Sequence, residues 1–274
     1  MTQTGTSTAV AEGVDLDAPF AARLTRVSKE FPNNVGPDGA LLPPVLEDVS
    51  LTVAPGEFVC LLGASGCGKS TMLSLIAGLD RPTSGTIEVE GRPGLMFQES
   101  ALFPWLTAGR NVELALRLRG VARRDRRAEA EALLERVHLA GTYDKRIHEL
   151  SGGMRQRVAL ARALAQESPV LLMDEPFAAL DAITRDVLHD ELVRVWTEAA
   201  TRTGTPLSVV FVTHNVREAA RLGQRVMLMS SRPGRFVREW RVGIDQPRRI
   251  ESPAVAELAL EITDDLRREI RRHA

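Results

Sequence analysis

Between Gly63 and Ser70 the chain reads GASGCGKS, with three glycines, a lysine and a hydroxyl residue in close order. Glycines at this spacing let successive backbone N–H groups curl toward an anion, and the lysine adds a full positive charge. The preceding EFVCLLGA is apolar almost throughout, as expected of a strand buried on both faces. After it, Met72, Leu73, Leu75, Ile76 and Leu79 share one side of a helix predicted over Lys69–Leu79 and closed by Gly78 and Pro82. Strand, glycine turn and helix N-terminus together form a cradle for phosphate. The candidate phosphate-binding residues are therefore Gly63, Ala64, Ser65, Gly66, Cys67, Gly68, Lys69, Ser70 and Thr71, with the Ser70 hydroxyl also expected to ligate Mg²⁺.

A second cluster lies in VLLMDEP, Val170–Pro176. A buried apolar run that ends in two adjacent carboxylates is costly unless those charges meet a cation or a ligand. Asp174, at the strand's C-terminal edge, is expected to hold the Mg²⁺ shell, and Glu175 is the candidate base. The competing reading makes both the start of a turn before Pro176. A third stretch, LSGGMRQR (Leu150–Arg157), begins a helix whose apolar stripe is Val158, Leu160, Ala161, Leu164 and Ala165. Ser151 fits as its N-cap. Gly152 and Gly153 do not fit, because each costs about 0.5–1 kcal/mol relative to alanine inside a helix.

These residues need a scaffold, and 274 positions suffice for one large domain or two small ones. Residues 1–21 have no sustained period and read as a disordered arm. Two strand-like segments, ARLTRVSKEF and VLEDVSLTV, flank the turn-rich NNVGPDGALLPP, and TIEVEG and GLMFQ are further strands. From about 100 to 158 the pattern is helical and charged. The RR-D-RR cluster there lies beside Glu129, Glu131 and Glu135, as on a solvated helix face. Strands return as SPVLLMDE, LSVVFVTH and RVMLMS, alternating with helices, which implies a parallel α/β sheet. An amphipathic helix closes the chain.

The formal net charge of −1 gives no argument for a nucleic-acid partner. No apolar run reaches the length of a membrane span, and the start of the chain lacks a secretory pattern, so a cytoplasmic location is the default. Cys60 and Cys67 lie too close in sequence for a disulfide framework or metal site, and Cys60 reads as core.

On these motifs the chain resembles the nucleotide-binding subunit of an ATP-binding cassette (ABC) transporter, over roughly residues 22–242. LSGGMRQR is similar to that family's signature motif. The resemblance implies an α/β P-loop NTPase (RecA-like) core with a mixed sheet, an antiparallel β subdomain and an inserted α-helical subdomain. The arm would occupy 1–21, the nucleotide-binding domain 22–245 with its helical part at about 100–158, and a helical tail 246–274. It implies ATP and Mg²⁺ as cofactors and a homodimer in which each signature faces the partner's phosphate loop. Ser151, Gly152 and Gly153 would then meet a γ-phosphate, which gives the two glycines a purpose. Gln98 resembles the glutamine that touches Mg²⁺ and the attacking water, Asp181 closes the loop FAALD at the dimer interface, and His214 resembles the switch histidine. Phe31 resembles the aromatic that stacks on adenine, with a core role as its rival. His138, His148, His189 and His273 read as surface or packing residues.

Two positions depart from the family's commonest pattern: Met154 where glutamine is usual, and Asn215 where aspartate is usual. The methionine variant, LFPWLTAGRNV and SSRPGRFVREWRV resemble importers of the nitrate, sulfonate and taurine type. That subgroup implies an integral-membrane permease, an extracytoplasmic solute-binding protein, no nucleic acid, and a peripheral position on the cytoplasmic face of the membrane. Leu102, Phe103, Trp105 and Leu106 would border the groove that receives the permease, although Leu102 and Phe103 also suit a core. The rivals are a non-transport cassette ATPase acting on ribosome or DNA, a nucleotide-dependent switch with little turnover, and an importer subunit for an unrelated small solute.

Overall fold

The computed structural model describes residues 7–8, 18–32 and 42–272, leaving aside the side chains of residues 7, 8, 202 and 203. The expected disordered arm falls mostly outside these residues, as does most of the turn-rich segment after Phe31. Two compact units emerge, one formed by the chain up to Gly91 with Ser208 onward, the other by Arg92–Leu207.

In the first unit, β1 (Ser7–Thr8), β10 (Phe236–Arg241), β9 (Arg225–Met229), β4 (Phe58–Gly63) and β8 (Ser208–Val212) follow one another across a sheet. β4 runs parallel to both β8 and β9, whereas β10 is antiparallel to β9. Every residue of β4 is buried, as its continuous apolar run leads us to expect of a two-sided strand, and β8 is buried in the same way. A separate antiparallel sheet places β2 (Ala22–Lys29) between β3 (Leu46–Val53) and β5 (Ser84–Val89). Helix α1 (Lys69–Ile76) ends three residues earlier than its apolar pattern suggests. Gly78 has φ +70° and turns the chain, which leaves Leu79 63 % exposed. Helix α6 (Val216–Leu222) follows β8, and α7 (Pro253–Arg272) buries Val255, Leu258, Ala259 and Ile262.

β10 is a strand that hydrophobic patterning misses, because among its residues only Trp240 is buried. The indole N–H of Trp240 donates to the Glu261 carboxylate on α7 at 2.9 Å, which satisfies the polar edge of a fully buried ring. Ser7 and Thr8, inside the expected disordered arm, pair with Trp240 and Glu239.

In the second unit, β6 (Gly94–Met96) and β7 (Val170–Asp174) pair in parallel. Helices α2 (Ala108–Arg119), α3 (Arg126–Arg136) and α4 (Gly152–Leu164) pack on one another, and α5 (Ala182–Thr203) follows β7. α2 has a Thr107 cap, whose side chain accepts from Arg110 N–H at 3.2 Å, and a left-handed Gly120 at its end. Within the arginine cluster Arg124 pairs with Asp125, and Arg127 with Glu131 and Asp144, all with exposed side chains, as on a solvated face.

Candidate functional site

The phosphate loop belongs to the first unit. β4 delivers Gly63, and the loop turns through Gly66 (φ +78°) and Gly68 (φ +100°) into α1. Only glycine suits position 68 on two counts. The φ lies in the left-handed region, and a Cβ there would stand 2.6 Å from Leu46 Cδ2 and 3.1 Å from the Val45 carbonyl. A Cβ on Gly63 would likewise meet Cys67 Sγ at 2.7 Å. Gly68 offers no side chain to cap α1, and the first turn of α1 carries no acidic residue, so its N-terminal N–H groups suit an anion. Ser70 lies exposed at this helix start, with Thr71 half-buried beside it.

Lys69 is buried, and its ammonium donates to the carbonyls of Gly63 at 2.9 Å and Ala64 at 2.8 Å. The cation is thus bent back over the loop that it closes. Phe31 is 42 % exposed, which removes the core reading, and the Lys29 ammonium lies 4.8 Å from its ring centroid. Lys29 is itself fixed by the Asp80 carboxylate at 2.7 Å. His214 is exposed just beyond β8, and the next residue, Asn215, caps α6 by accepting from the N–H groups of Arg217 and Glu218. Asparagine caps a helix as well as aspartate does, so the departure at 215 leaves this function intact.

The second unit carries Gln98, Ser151, Gly152, Gly153, Asp174, Glu175 and Asp181. Asp174 ends the fully buried β7. Glu175 follows with φ +44°, an uncommon backbone state for a non-glycine residue. Such strain persists where surrounding structure holds it, and it collects at functional sites. Asp181 caps α5 by accepting from the Thr184 N–H at 2.9 Å and the Thr184 hydroxyl at 2.7 Å. These two bonds hold its carboxyl below the usual range. Arg185 braces the same loop by donating to the carbonyls of Phe177 and Leu180.

Ser151 is the N-cap of α4, its Oγ accepting from Met154 N–H at 3.2 Å. Gly153 packs toward the Asp181 loop, where a Cβ would lie 3.0 Å from Leu180 Cδ2. Gly152 differs. A Cβ there would meet nothing within 4 Å among the described residues, and its φ is not in the left-handed region. Nothing described within this chain therefore calls for glycine at 152.

Three contributions were not legible in the sequence reading. Gln156 on α4 is buried and donates to the Gln98 carbonyl at 3.2 Å. Arg162 donates to the carbonyls of Ala101 at 2.8 Å and Ser100 at 3.1 Å, and burial lowers its guanidinium pKa. The signal for both was a polar residue set in an apolar helical stripe. Lys29 beneath Phe31 is the third. Of the residues expected to face a permease, Trp105 is 67 % exposed, while Leu102, Phe103 and Leu106 are half-buried.

No group of three or more His, Cys, Asp or Glu side chains able to hold a metal occurs among the described residues. The candidate donors Ser70, Gln98 and Asp174 are all hard oxygen ligands. Such a set suits Mg²⁺ carried with a nucleotide, since that ion keeps waters and phosphate oxygens and takes few protein ligands.

The family model described as ABC transporter matches residues 46–178. A taurine import ATP-binding protein, TauB of Burkholderia thailandensis, is 46 % identical over 241 residues, which cover 82 % of this chain and 90 % of that one. This chain belongs to the ABC transporter family. As an ABC ATP-binding protein it binds ATP and is an ATPase. The nitrate import ATP-binding protein NrtD of Synechocystis sp. is 44 % identical over 229 residues, 81 % of this ABC protein and 82 % of its own length. Among solved structures, the ATP-binding cassette MJ0796, dimeric in a post-hydrolysis state with ADP and Pi, superposes with TM-score 0.69. It is 32 % identical, covering 83 % of this chain and 99 % of that one. The α/β fold with a mixed sheet is therefore that of an ABC ATPase cassette.

Proposed function

We propose that this ABC ATPase is the energising subunit of an importer for a small anion of the nitrate, sulfonate or taurine type. It works as a homodimer beneath a separate integral-membrane permease, on the cytoplasmic face, with an extracytoplasmic solute-binding protein supplying the cargo. The observation that carries the dimeric mechanism is Gly152. It gives up some helix stability, a Cβ on it would meet nothing within 4 Å among the described residues, and it stands at a capped, anion-seeking N-terminus. A phosphate approaching from a second copy accounts for it. Similarity to taurine and nitrate import proteins supports the class of solute. No helix among the described residues is long and apolar enough to cross a membrane.

In this reading the backbone N–H groups of Gly63–Thr71 cradle the phosphates of ATP. Lys69 exchanges its two carbonyl acceptors for β- and γ-phosphate oxygens. Phe31, braced by Lys29, stacks on the adenine. Ser70, Asp174 and Gln98 would hold Mg²⁺, which when bound neutralises charge on the phosphates. Glu175 orients the attacking water and accepts its proton. His214 hydrogen-bonds the γ-phosphate as negative charge builds. The partner copy's signature, equivalent to Ser151–Gly153, closes the other side. Trp105 and its neighbours receive the permease.

The test is complementation of a strain lacking this chain, read as uptake of labelled taurine and of nitrate. The wild-type chain restores one of the two, and the E175Q and W105E variants do not. Uptake of both solutes at full rate in the deletion strain contradicts the assignment.

A further inference from the structure

The tail after β10 has no part in the mechanism above, yet it holds a buried arginine bonded to five backbone carbonyls. Arg248 is 5 % exposed. Its guanidinium donates to the carbonyls of Ala220 at 3.1 Å, Arg221 at 3.3 Å and Gly223 at 2.6 Å, and to Ile244 and Val242 within its own segment. Gln246 adds bonds from Nε2 to the carbonyls of Arg221 at 2.9 Å and Leu222 at 3.3 Å, while its Oε1 accepts from Arg248 N–H at 3.1 Å.

These acceptors are the C-terminal end of α6. The last four carbonyls of a helix lack intrahelical partners. Here Ala219 is answered by Gly223 N–H, and Ala220, Arg221 and Leu222 by the two tail side chains. A cation at this end also complements the helix dipole. Burial lowers the Arg248 pKa to about 10, which still leaves it charged at neutral pH.

The other end of α6 carries His214. Thr213 donates to the buried Glu218 carboxylate at 2.5 Å and accepts from Asn215 N–H at 3.0 Å, and Asn215 caps the helix through Arg217 and Glu218 N–H. The residues on both sides of His214 are thus tied to the first turn of α6. That helix has only seven residues, too few to persist on its own, since isolated helices below about 12 residues are marginal in water.

We infer that the C-terminal segment is a brace for the switch histidine: Arg248 and Gln246 are positioning residues that hold α6, and through it His214, at the γ-phosphate. This rests on the role given to His214 above. The brace places the backbone of residues 213–215 before ATP arrives, so its loss lowers turnover more than nucleotide affinity, which the phosphate loop supplies.

The test is a double-mutant cycle on the full chain, reading kcat at saturating Mg·ATP and Kd for ATP by competition with a fluorescent ATP analogue. R248M keeps the bulk of the side chain and removes its donors. It is expected to lower kcat about tenfold, with Kd changed less than twofold, and R248K, which keeps the charge, to recover part of the loss. In an H214A background R248M has no further effect on the residual rate. A loss of equal size in both backgrounds, a Kd that weakens in step with kcat, or an unchanged kcat overturns the brace. H214A turning over at the wild-type rate overturns the role of His214 and the brace with it, whereas a slow H214A with an additive R248M overturns the brace alone. If R248M does not fold, Q246A goes through the same cycle, with a roughly threefold loss of kcat expected that vanishes in H214A.

Discussion

Gln156 donates from Nε2 to the backbone carbonyl of Gln98 at 3.2 Å. One helix, α4, therefore presents the signature residues at its N-terminus and, one turn further on, holds the residue assigned to the metal and water. A net neutral hydrogen bond is worth about 1 kcal/mol, close to a factor of five in rate if wholly expressed in the transition state. Q156A is expected to lower kcat about five- to tenfold, with ATP affinity within twofold of wild type, as measured by steady-state phosphate release and nucleotide titration. Unchanged turnover would show that Gln98 is held by other means.

Gly152→Ala should move stability and function in opposite directions. The added Cβ meets nothing within 4 Å among the described residues, and alanine gains at most about 0.5–1 kcal/mol, the mid-helix figure, at this first helical position. A rise of roughly 1–3 °C in Tm is expected by calorimetry for a domain of this size. ATPase activity should fall more than tenfold if, as proposed, the methyl group stands where the phosphate held by a second copy must come. A variant that is both more stable and fully active contradicts the role given to this glycine.

Glu175 offers a similar trade. A non-glycine residue in the left-handed region costs about 1–2 kcal/mol, so E175G should be more resistant to heat than wild type. Its turnover should drop by about 10²–10⁴, the usual contribution of a positioned general base. Thermal melts and phosphate release read the two effects separately.

Gly68→Ala should fail on both measures. Its φ of +100° and the 2.6 Å approach to Leu46 Cδ2 force the loop or β3 to shift. Overpacking of this kind typically costs about 1–3 kcal/mol. A Tm lowered by several degrees and a Kd for ATP weakened at least tenfold are expected from calorimetry and nucleotide titration.

Local patterning made much of the fold readable. The apolar runs read as strands became β4, β7 and β8, and the serine before two glycines became the N-cap of α4. Periodicity overshot α1, because Leu79 matches the stripe in sequence but lies beyond the left-handed turn near Gly78. β10 escaped notice because its sheet bonding is carried by a sequence as charged as a loop, with Trp240 alone buried. The side chains that brace the site were the least legible. Gln156, Arg162, Gln246 and Arg248 all donate to backbone carbonyls remote in sequence, and such acceptors are the same for every residue type. Their partners exist only once the chain is folded.

The account stands on an ATP clamped between two copies, each giving a phosphate loop to one nucleotide and a glycine-fronted helix to the other. Light scattering on the E175Q chain, coupled to size exclusion with and without Mg·ATP, tests this most directly. The predicted result is a monomer without nucleotide, a dimer of twice the mass with it, and a monomer in both conditions once Gly152→Ala is added. A protein that binds ATP yet remains a monomer, or one that dimerises equally with the alanine in place, contradicts it.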